Sequence, residues 1–383
     1  MSAALGTTAI EADRRAGSDA AATPGTPARD TAADPIRVAI VGATGYVGAE
    51  LVRLLSRHPS VRIVGLVGRD RNDEPIETFH PQLVGTGLTV GSAIPAEAET
   101  VFLALPHGAA AQQVPALVER GISIIDMGPD FRLRDAADYP TWYGFEHPSP
   151  QLLDHAVYGL PELHRAELQA LAGARLDGRP VIVGSPGCYP TTTILALAPL
   201  ARAGLIGDLV VDAKSGVSGA GKDPKQNLHF GEVDESVSAY GLFTHRHTAE
   251  LEQELGALSG GAEGTRGIDF LPHLIPMVRG ILSSSHVRPT RPVTQPELDD
   301  LYADAYADEP FVTVVGAPPA TKHVTGSNEA RVHVRVDPRT GRVLALGVLD
   351  NLVKGAAGQG VQAFNLVWDL PETAGLLQAP LAP

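Results

Sequence analysis

Cysteine is nearly missing from this chain: among 383 residues only Cys188 is present. One thiol excludes an intramolecular disulfide and a cysteine-rich metal site. It fits a reducing compartment, so a cytoplasmic location is expected. No metal is expected, because no further Cys or acidic ligand recurs around the histidines at zinc-site spacing. Long apolar runs are also missing. None approaches the length of about 18 residues that a spanning helix needs, so no membrane partner is expected. Basic residues are in deficit, with 30 Lys and Arg against 44 Asp and Glu and a formal net charge of −14, which argues against nucleic acid as a partner. What remains is 44% hydrophobic and 19% charged, the balance of an ordinary globular protein, and the length suggests two domains. Residues 1–34 differ. They are rich in Ala, Thr, Gly, Asp and Pro, contain no signal-peptide apolar segment, and are expected to be disordered.

The single cysteine sits in Val183-Gly184-Ser185-Pro186-Gly187-Cys188-Tyr189-Pro190-Thr191, bracketed by glycine and proline. The apolar run Pro180–Val183 before it reads as a buried strand, and Thr192–Ala198 after it reads as a helix with Pro190 in or just before the first turn. A thiol between a strand end and a helix N-terminus meets free N–H groups and the positive end of the helix dipole. That placement favours thiolate and marks Cys188 as a candidate nucleophile.

Ordered structure is expected to begin with the strand Ile36–Val41. Next come Gly42-Ala43-Thr44-Gly45-Tyr46-Val47-Gly48, a helix through Glu50–Leu55 and a second strand, Val61–Val67. A glycine loop between strand and helix presents backbone amides and a helix dipole to a pyrophosphate, so Gly42, Thr44, Gly45, Tyr46, Val47 and Gly48 are candidate cofactor contacts. The spacing is G-x-x-G-x-x-G, not G-x-G-x-x-G. The second strand ends Gly68-Arg69-Asp70-Arg71; Arg69 suits a 2′-phosphate and favours NADP, while Asp70 would suit a ribose hydroxyl. Strands at Thr100–Leu105, Ile122–Asp126 and Val181–Val183, with a helix over Ala109–Arg120, complete the pattern of an α/β fold with a Rossmann-type doubly wound parallel sheet. Ligands in such sheets lie beyond the carboxyl ends of the strands, so the glycine loop and Cys188 should share one crevice.

Past residue 205 the pattern changes. The strand Leu209–Lys214 leads into Ser215–Lys222, a loop of small hydroxyls flanked by Lys214 and Lys222 that suits an anionic group. Thr244-His245-Arg246-His247 opens a helix with Leu251, Leu255 and Leu258 on one face, and its histidines suit proton transfer. One long β-rich segment is expected over Phe270–Leu282, and a hairpin over Ala330–Val336 and Arg342–Leu349. A Gly-rich loop over Asp350–Gly360 precedes a last helix, which is expected to return to the nucleotide domain. The second region therefore reads as an α+β catalytic and dimerisation domain with a mixed sheet. The expected division is 35–187 completed by 351–383 for NADP, and 188–350 for the substrate.

Together these residues resemble the N-acetyl-gamma-glutamyl-phosphate reductase family, relatives of aspartate-semialdehyde dehydrogenase, from Ile36 to the end. The most specific piece is Gly184–Thr191. Gly42–Gly48, Tyr158–Leu163, the Lys214–Lys222 loop, His245-Arg246-His247 and Asn351–Ala356 also match family motifs. Thr192 and Ala249 depart from the residues usual there. The resemblance implies NADPH-dependent reduction of N-acetyl-glutamyl 5-phosphate to the 5-semialdehyde, in arginine biosynthesis, through a thioester on Cys188. It implies His247 as acid/base and Ser218, Gly219 and Asn351 near the cofactor. Lys214, Lys222, His245 and Arg279 would hold substrate, Arg279 as a carboxylate clamp. A homodimer or homotetramer is expected. An aspartate-semialdehyde dehydrogenase would use the same thiol on a substrate with a free amino group, and a regulatory NADP-binding protein would not need the thiol.

Overall fold

The computed structural model describes residues 34–69 and 73–381. The expected disordered tail lies outside these residues apart from Asp34, and so do Asp70 and Arg71. Fifteen strands are seen among the described residues, and they divide between two sheets.

The first sheet holds β1 (Ile36–Val41), β2 (Val61–Val67), β3 (Glu74–Pro75), β4 (Thr89–Gly91), β5 (Thr100–Leu103), β6 (Ser123–Asp126), β7 (Ala156–Tyr158) and β8 (Ile182–Gly184). Their order is β3-β4-β2-β1-β5-β6-β8-β7, and every pairing except β3 with β4 is parallel. The apolar runs of β1, β5 and β6 are buried on both faces, as helix-covered parallel strands require. Alternation along β1 decides which helix each residue meets. Val38 and Ile40 join Leu51, Leu54, Val361 and Phe364, whereas Ala39 and Val41 join Ala110, Val114 and Leu117. The chain steps from β1 outward to β2 and later crosses to β5 on the other side of β1. The reversal opens a crevice beyond the carboxyl ends of β1 and β5. The last helix, Gly358–Val367, does return to this sheet: Phe364 stacks against Phe102 at 5.6 Å, and the Trp368 Nε1–H donates to Thr100 Oγ1 at 2.9 Å.

The second sheet holds β9 (Ile206–Gly216), β10 (Ser238–Ala239), β11 (Asp269–Ile275), β12 (Ile281–Pro289), β13 (Val312–Val314), β14 (Ala330–Val336) and β15 (Val343–Leu349). It is mixed, in the order β10-β11-β9-β12-β15-β14-β13. The segment Phe270–Leu282, expected as one stretch of β structure, splits at Pro276–Gly280 into β11 and β12, which flank β9 on opposite sides. Gly280 makes the turn at φ +108°, where a side chain would meet Thr321. The hairpin of β14 and β15 forms as expected.

Helix Cys188–Arg202 starts from the end of β8 in the first sheet and packs its length on the second, where Ile194 and Leu197 share a core with Val211, Ala345 and Leu349. Residues Tyr189–Ala201 are all buried. A helix tied to both sheets fixes its first residue at their junction, and that residue is Cys188.

Candidate active site

The loop before the cysteine is held by buried polar groups. The Ser185 N–H donates to Asp126 O at 2.8 Å, extending the pairing of β8 with β6. Arg132, 8% exposed, donates from Nε to Ser185 O at 2.6 Å and from Nη1 to Glu250 Oε1 at 3.0 Å. The Glu250 carboxylate, fully buried, also accepts from the Gly187 N–H at 2.9 Å and from the Tyr158 hydroxyl at 2.8 Å. Carboxylate and guanidinium thus satisfy each other while clamping the residues on either side of Pro186. Gly187 leaves space for the histidine: a Cβ there would lie 2.4 Å from His247 Nε2. His247 is the first residue of helix His247–Leu258, so the helix begins at the histidine itself and not after it. Its Nε2 is 3.9 Å from Glu250 Oε1, and its Nδ1 is buried with no hydrogen-bond partner. The His247 N–H donates to His245 Nδ1 at 3.2 Å.

Cys188 is the first helical residue, as the sequence suggests, and it lines the cavity half-buried. Burial pushes its thiol up to about 11, against the opposing pull of Arg132 and the N–H groups of Tyr189 and Cys188. Desolvation outweighs the helix terminus here, so the shift runs opposite to the one the strand–turn–helix context suggests. Burial likewise holds His247 well below its usual range, helped by His245, Arg132 and Arg246, and lowers His245 to about 4. The pair at neutral pH is a thiol beside a neutral imidazole, which has a nitrogen free to accept a proton.

Cys188, His245 and His247 line a cavity of about 440 Å³ with Ser215, Gly219, Tyr240, Arg246 and Trp142. Around the crevice of the first sheet, the glycine loop is shaped by backbone contact. A Cβ on Gly42 would lie 2.2 Å from Ala104 O, and one on Gly48 would lie 2.3 Å from Gly42 O. Helix Tyr46–Leu55 begins at Gly45 with no side-chain cap, leaving its N-terminus for an anion. This cradle, too tight for side chains, fits a dinucleotide pyrophosphate. Arg69 stands exposed at the end of β2. The Asn351 amide ties the second half of the site together, donating to Ser218 Oγ at 2.9 Å and accepting from the Gly280 N–H at 2.7 Å.

Three of the residues expected to bind substrate are placed otherwise. Lys214 lies on β9, one residue from Ser215 and therefore on the other face of the sheet, where it pairs with Asp212 at 2.6 Å. Arg279 is engaged by Glu50 and by Asp350, a pairing that braces the junction of the two sheets. Lys222 reaches the nucleotide loop, donating to Thr44 O at 3.3 Å and Phe79 O at 3.2 Å. Arg132, Trp142, Lys225 and Tyr240 also belong to the site or its support, and no motif marks them. A buried Arg in a polar stretch leaves no local signal. The motifs Tyr158–Leu163 and Asn351–Ala356 carried one, and they meet in the buried pair of Lys354 Nζ with Glu162 Oε1 at 2.6 Å.

Known proteins resemble the chain in sequence and in fold. Residues 37–171 match the family model described as semialdehyde dehydrogenase, NAD binding domain, and residues 188–351 match semialdehyde dehydrogenase, dimerisation domain. The N-acetyl-gamma-glutamyl-phosphate reductase of Desulforudis audaxviator is 47% identical over 357 residues, 91% of this chain and 100% of that protein. That of Heliobacterium modesticaldum is 46% identical over 359 residues, with 91% and 100% covered. Among solved structures, aspartate semialdehyde dehydrogenase II of Vibrio cholerae covers 87% of this chain and 98% of its own at a TM-score of 0.65 and 19% identity. Aspartate semialdehyde dehydrogenase with NADP from Candida albicans covers 89% and 99% at 0.64 and 16%. At those identities the solved structures speak for the fold, and the sequence relatives speak for the family. The chain belongs to the N-acetyl-gamma-glutamyl-phosphate reductase family, oxidoreductases built on the semialdehyde dehydrogenase fold.

Proposed function

We propose that the chain reduces N-acetyl-L-glutamyl 5-phosphate to N-acetyl-L-glutamate 5-semialdehyde with release of phosphate, as a step of arginine biosynthesis. The observation that carries this reading is the juxtaposition of the one thiol with a neutral, buried imidazole in a cavity at the junction of the two sheets. The Cys188 sulfur attacks the acyl carbon as the carbon–oxygen bond to phosphate breaks, and the thiol proton passes to His247. Arg132 and Glu250 hold Ser185 and Gly187 so that the sulfur stays aimed while it gains and loses charge. NADPH, when bound, supplies the hydride that reduces the thioester. Collapse of the thiohemiacetal then breaks the carbon–sulfur bond and frees the aldehyde. Sulfur regains the proton from His247, and one solvent proton ends on phosphate.

The Gly42–Gly48 loop would hold the pyrophosphate, Arg69 the 2′-phosphate, and Ser218, Gly219 and Asn351 the nicotinamide side. In this reading residues 35–187 with 351–383 form the nucleotide domain and 188–350 the catalytic domain of a cytoplasmic homodimer or homotetramer.

The test is acid quench of enzyme mixed with acyl phosphate in the absence of NADPH. One equivalent of phosphate per active site should appear in a burst, with the acyl group covalently held, and Cys188→Ser should abolish both while NADPH binding persists. Phosphate release without covalent acyl enzyme, or turnover in Cys188→Ser, would refute the thioester.

A further inference from the structure

A cluster of charges stands apart from both the glycine loop and the acyl cavity, and joins the elements that carry them. Glu50 and Arg53 belong to helix Tyr46–Leu55, which follows the glycine loop. Glu50 Oε1 accepts from Arg279 Nη2, and Glu50 Oε2 accepts from Arg53 Nε at 2.7 Å. Arg279 Nη1 donates to Asp350 Oδ2 at 3.5 Å, and the same oxygen accepts from the Gly326 N–H at 2.7 Å. Arg53 Nη2 donates to Gly326 O at 3.4 Å. These contacts close into a ring of two anions and two cations, with Glu50 and Asp350 buried. Burying charge costs desolvation, so such a ring contributes geometry more than stability.

The far side of the ring leads to the thiol. Asp350 Oδ1 accepts from the N–H groups of Leu352 and Val353, at 2.8 and 3.2 Å, and the Asp350 backbone oxygen accepts from the Gly355 N–H at 2.9 Å. Val353–Ala357 is a single π-helical turn, a geometry that recurs at functional sites. Gly355 lies against the cysteine: a Cβ there would be 2.9 Å from Cys188 Cβ. Arg279 therefore stands between the helix of the nucleotide loop and the backbone that supports Cys188.

We infer that Arg279 is a positioning residue for hydride transfer: through Glu50 and Asp350 it holds the dinucleotide loop and Cys188 at one fixed separation. The inference rests on the thioester reading above. In that reading Cys188 carries the acyl group and the loop before helix Tyr46–Leu55 holds the dinucleotide, so the reacting carbon and the cofactor meet only if the two elements are in register. A misplacement of about 1 Å can cost about a hundredfold in rate. Asp350 keeps its backbone N–H donors without Arg279, so the turn under Cys188 stays formed and only its link to the helix is lost. Acyl transfer between sulfur and phosphate needs Cys188 but not the dinucleotide, so loosening the ring slows one step and spares the other. A carboxylate clamp would behave differently. Arg279 would then act on substrate binding, and Glu50, itself an anion, would have no part in it.

The two steps separate when the reaction is run in reverse. Enzyme is mixed with NADP and N-acetylglutamate 5-semialdehyde without phosphate, and phosphate is added afterwards. The Cys188 sulfur adds to the aldehyde carbon, hydride passes from that carbon to NADP, and thioester, NADPH and one proton result. The burst of NADPH reports hydride transfer, and the later release of acyl phosphate reports acyl transfer. At saturating aldehyde and NADP, Arg279→Gln and Glu50→Gln should each slow the burst about tenfold to a hundredfold, while acyl transfer and NADP affinity by titration stay within about threefold. The slowed burst should show a larger isotope effect with aldehyde deuterated at its carbonyl carbon. Arg279→Lys, which keeps the cation, should recover most of the rate. Apart from turnover, bound NADP should shield Cys188 from iodoacetamide in wild type, and both Gln variants should lose most of that shielding at equal NADP occupancy. A burst as fast as wild type in both Gln variants would overturn the positioning role and leave the reaction standing. So would equal losses in both steps, or a raised KM for the aldehyde in Arg279→Gln alone, the mark of a clamp. A wild type that gives neither burst nor acyl phosphate would strike the reaction itself, and the positioning role with it.

Discussion

The nucleotide crevice and the acyl cavity share one junction but are built by opposite means. The crevice is made of backbone: at Gly42 and Gly48 the decisive feature is that no side chain fits. The cavity is made of side chains drawn from distant segments, with Trp142, Cys188, Ser215, Lys225, Tyr240 and Arg246 meeting only in the folded chain. Backbone recognition is tied to a short local pattern and is disturbed by any side chain at its tight points. Side-chain recognition is spread out and can be retuned one residue at a time. Damage to each region should therefore look different.

The largest effect short of losing the thiol is expected at the proton acceptor. His247→Asn should lower kcat by about two to four orders of magnitude, with NADPH affinity unchanged, in steady-state assays and direct titration. An effect below tenfold would move the role to His245 or solvent. Gly48→Ala attacks the other region. Its Cβ would press on Gly42 O and Ala43, so NADPH binding should weaken by roughly tenfold to a hundredfold, about 1.4–2.8 kcal/mol. The rate of Cys188 alkylation should stay as in wild type; a parallel loss of both would show that the two regions are not separable. The smallest effect belongs to Lys214→Ala. That lysine is paired with Asp212 on the far face of β9, a half-exposed pair worth at most about 1 kcal/mol, so kcat/KM should stay within roughly threefold. A loss of a hundredfold would restore Lys214 to the substrate site.

The same contrast explains what could be read from the residues alone. The strand–loop–helix of Ile36–Leu55 and the strand–turn–helix around Cys188 are local, so period and breakers reveal them. The buried run of β1 and the Gly-Cys-Tyr-Pro turn were both legible. The partners of Arg279 and Lys214 could not be read, because a cation in sequence does not announce its partner. Glu50 lies 229 positions from Arg279, and β9 runs on to Gly216, two residues past the end that sequence suggests, so that Lys214 and Ser215 take opposite faces of one strand. The upward shift of the Cys188 thiol is hidden from the sequence for a related reason. A helix N-terminus is a local feature that lowers a thiol pKa, whereas burial, which raises it, is assembled by packing from both sheets. Arg132 and Glu250, 118 positions apart, form the clamp behind the thiol through contacts that no spacing rule contains.

In the proposed reaction the lone thiol rests protonated and loses its proton to a neutral neighbouring imidazole. The most direct measurement is the pH dependence of Cys188 alkylation by iodoacetamide in the unliganded protein. The rate should climb steadily from pH 6 and show no plateau below about pH 10, following a thiol raised to about 11. A rate already flat across neutral pH, with a midpoint near 6, would mean a preformed thiolate and would contradict it.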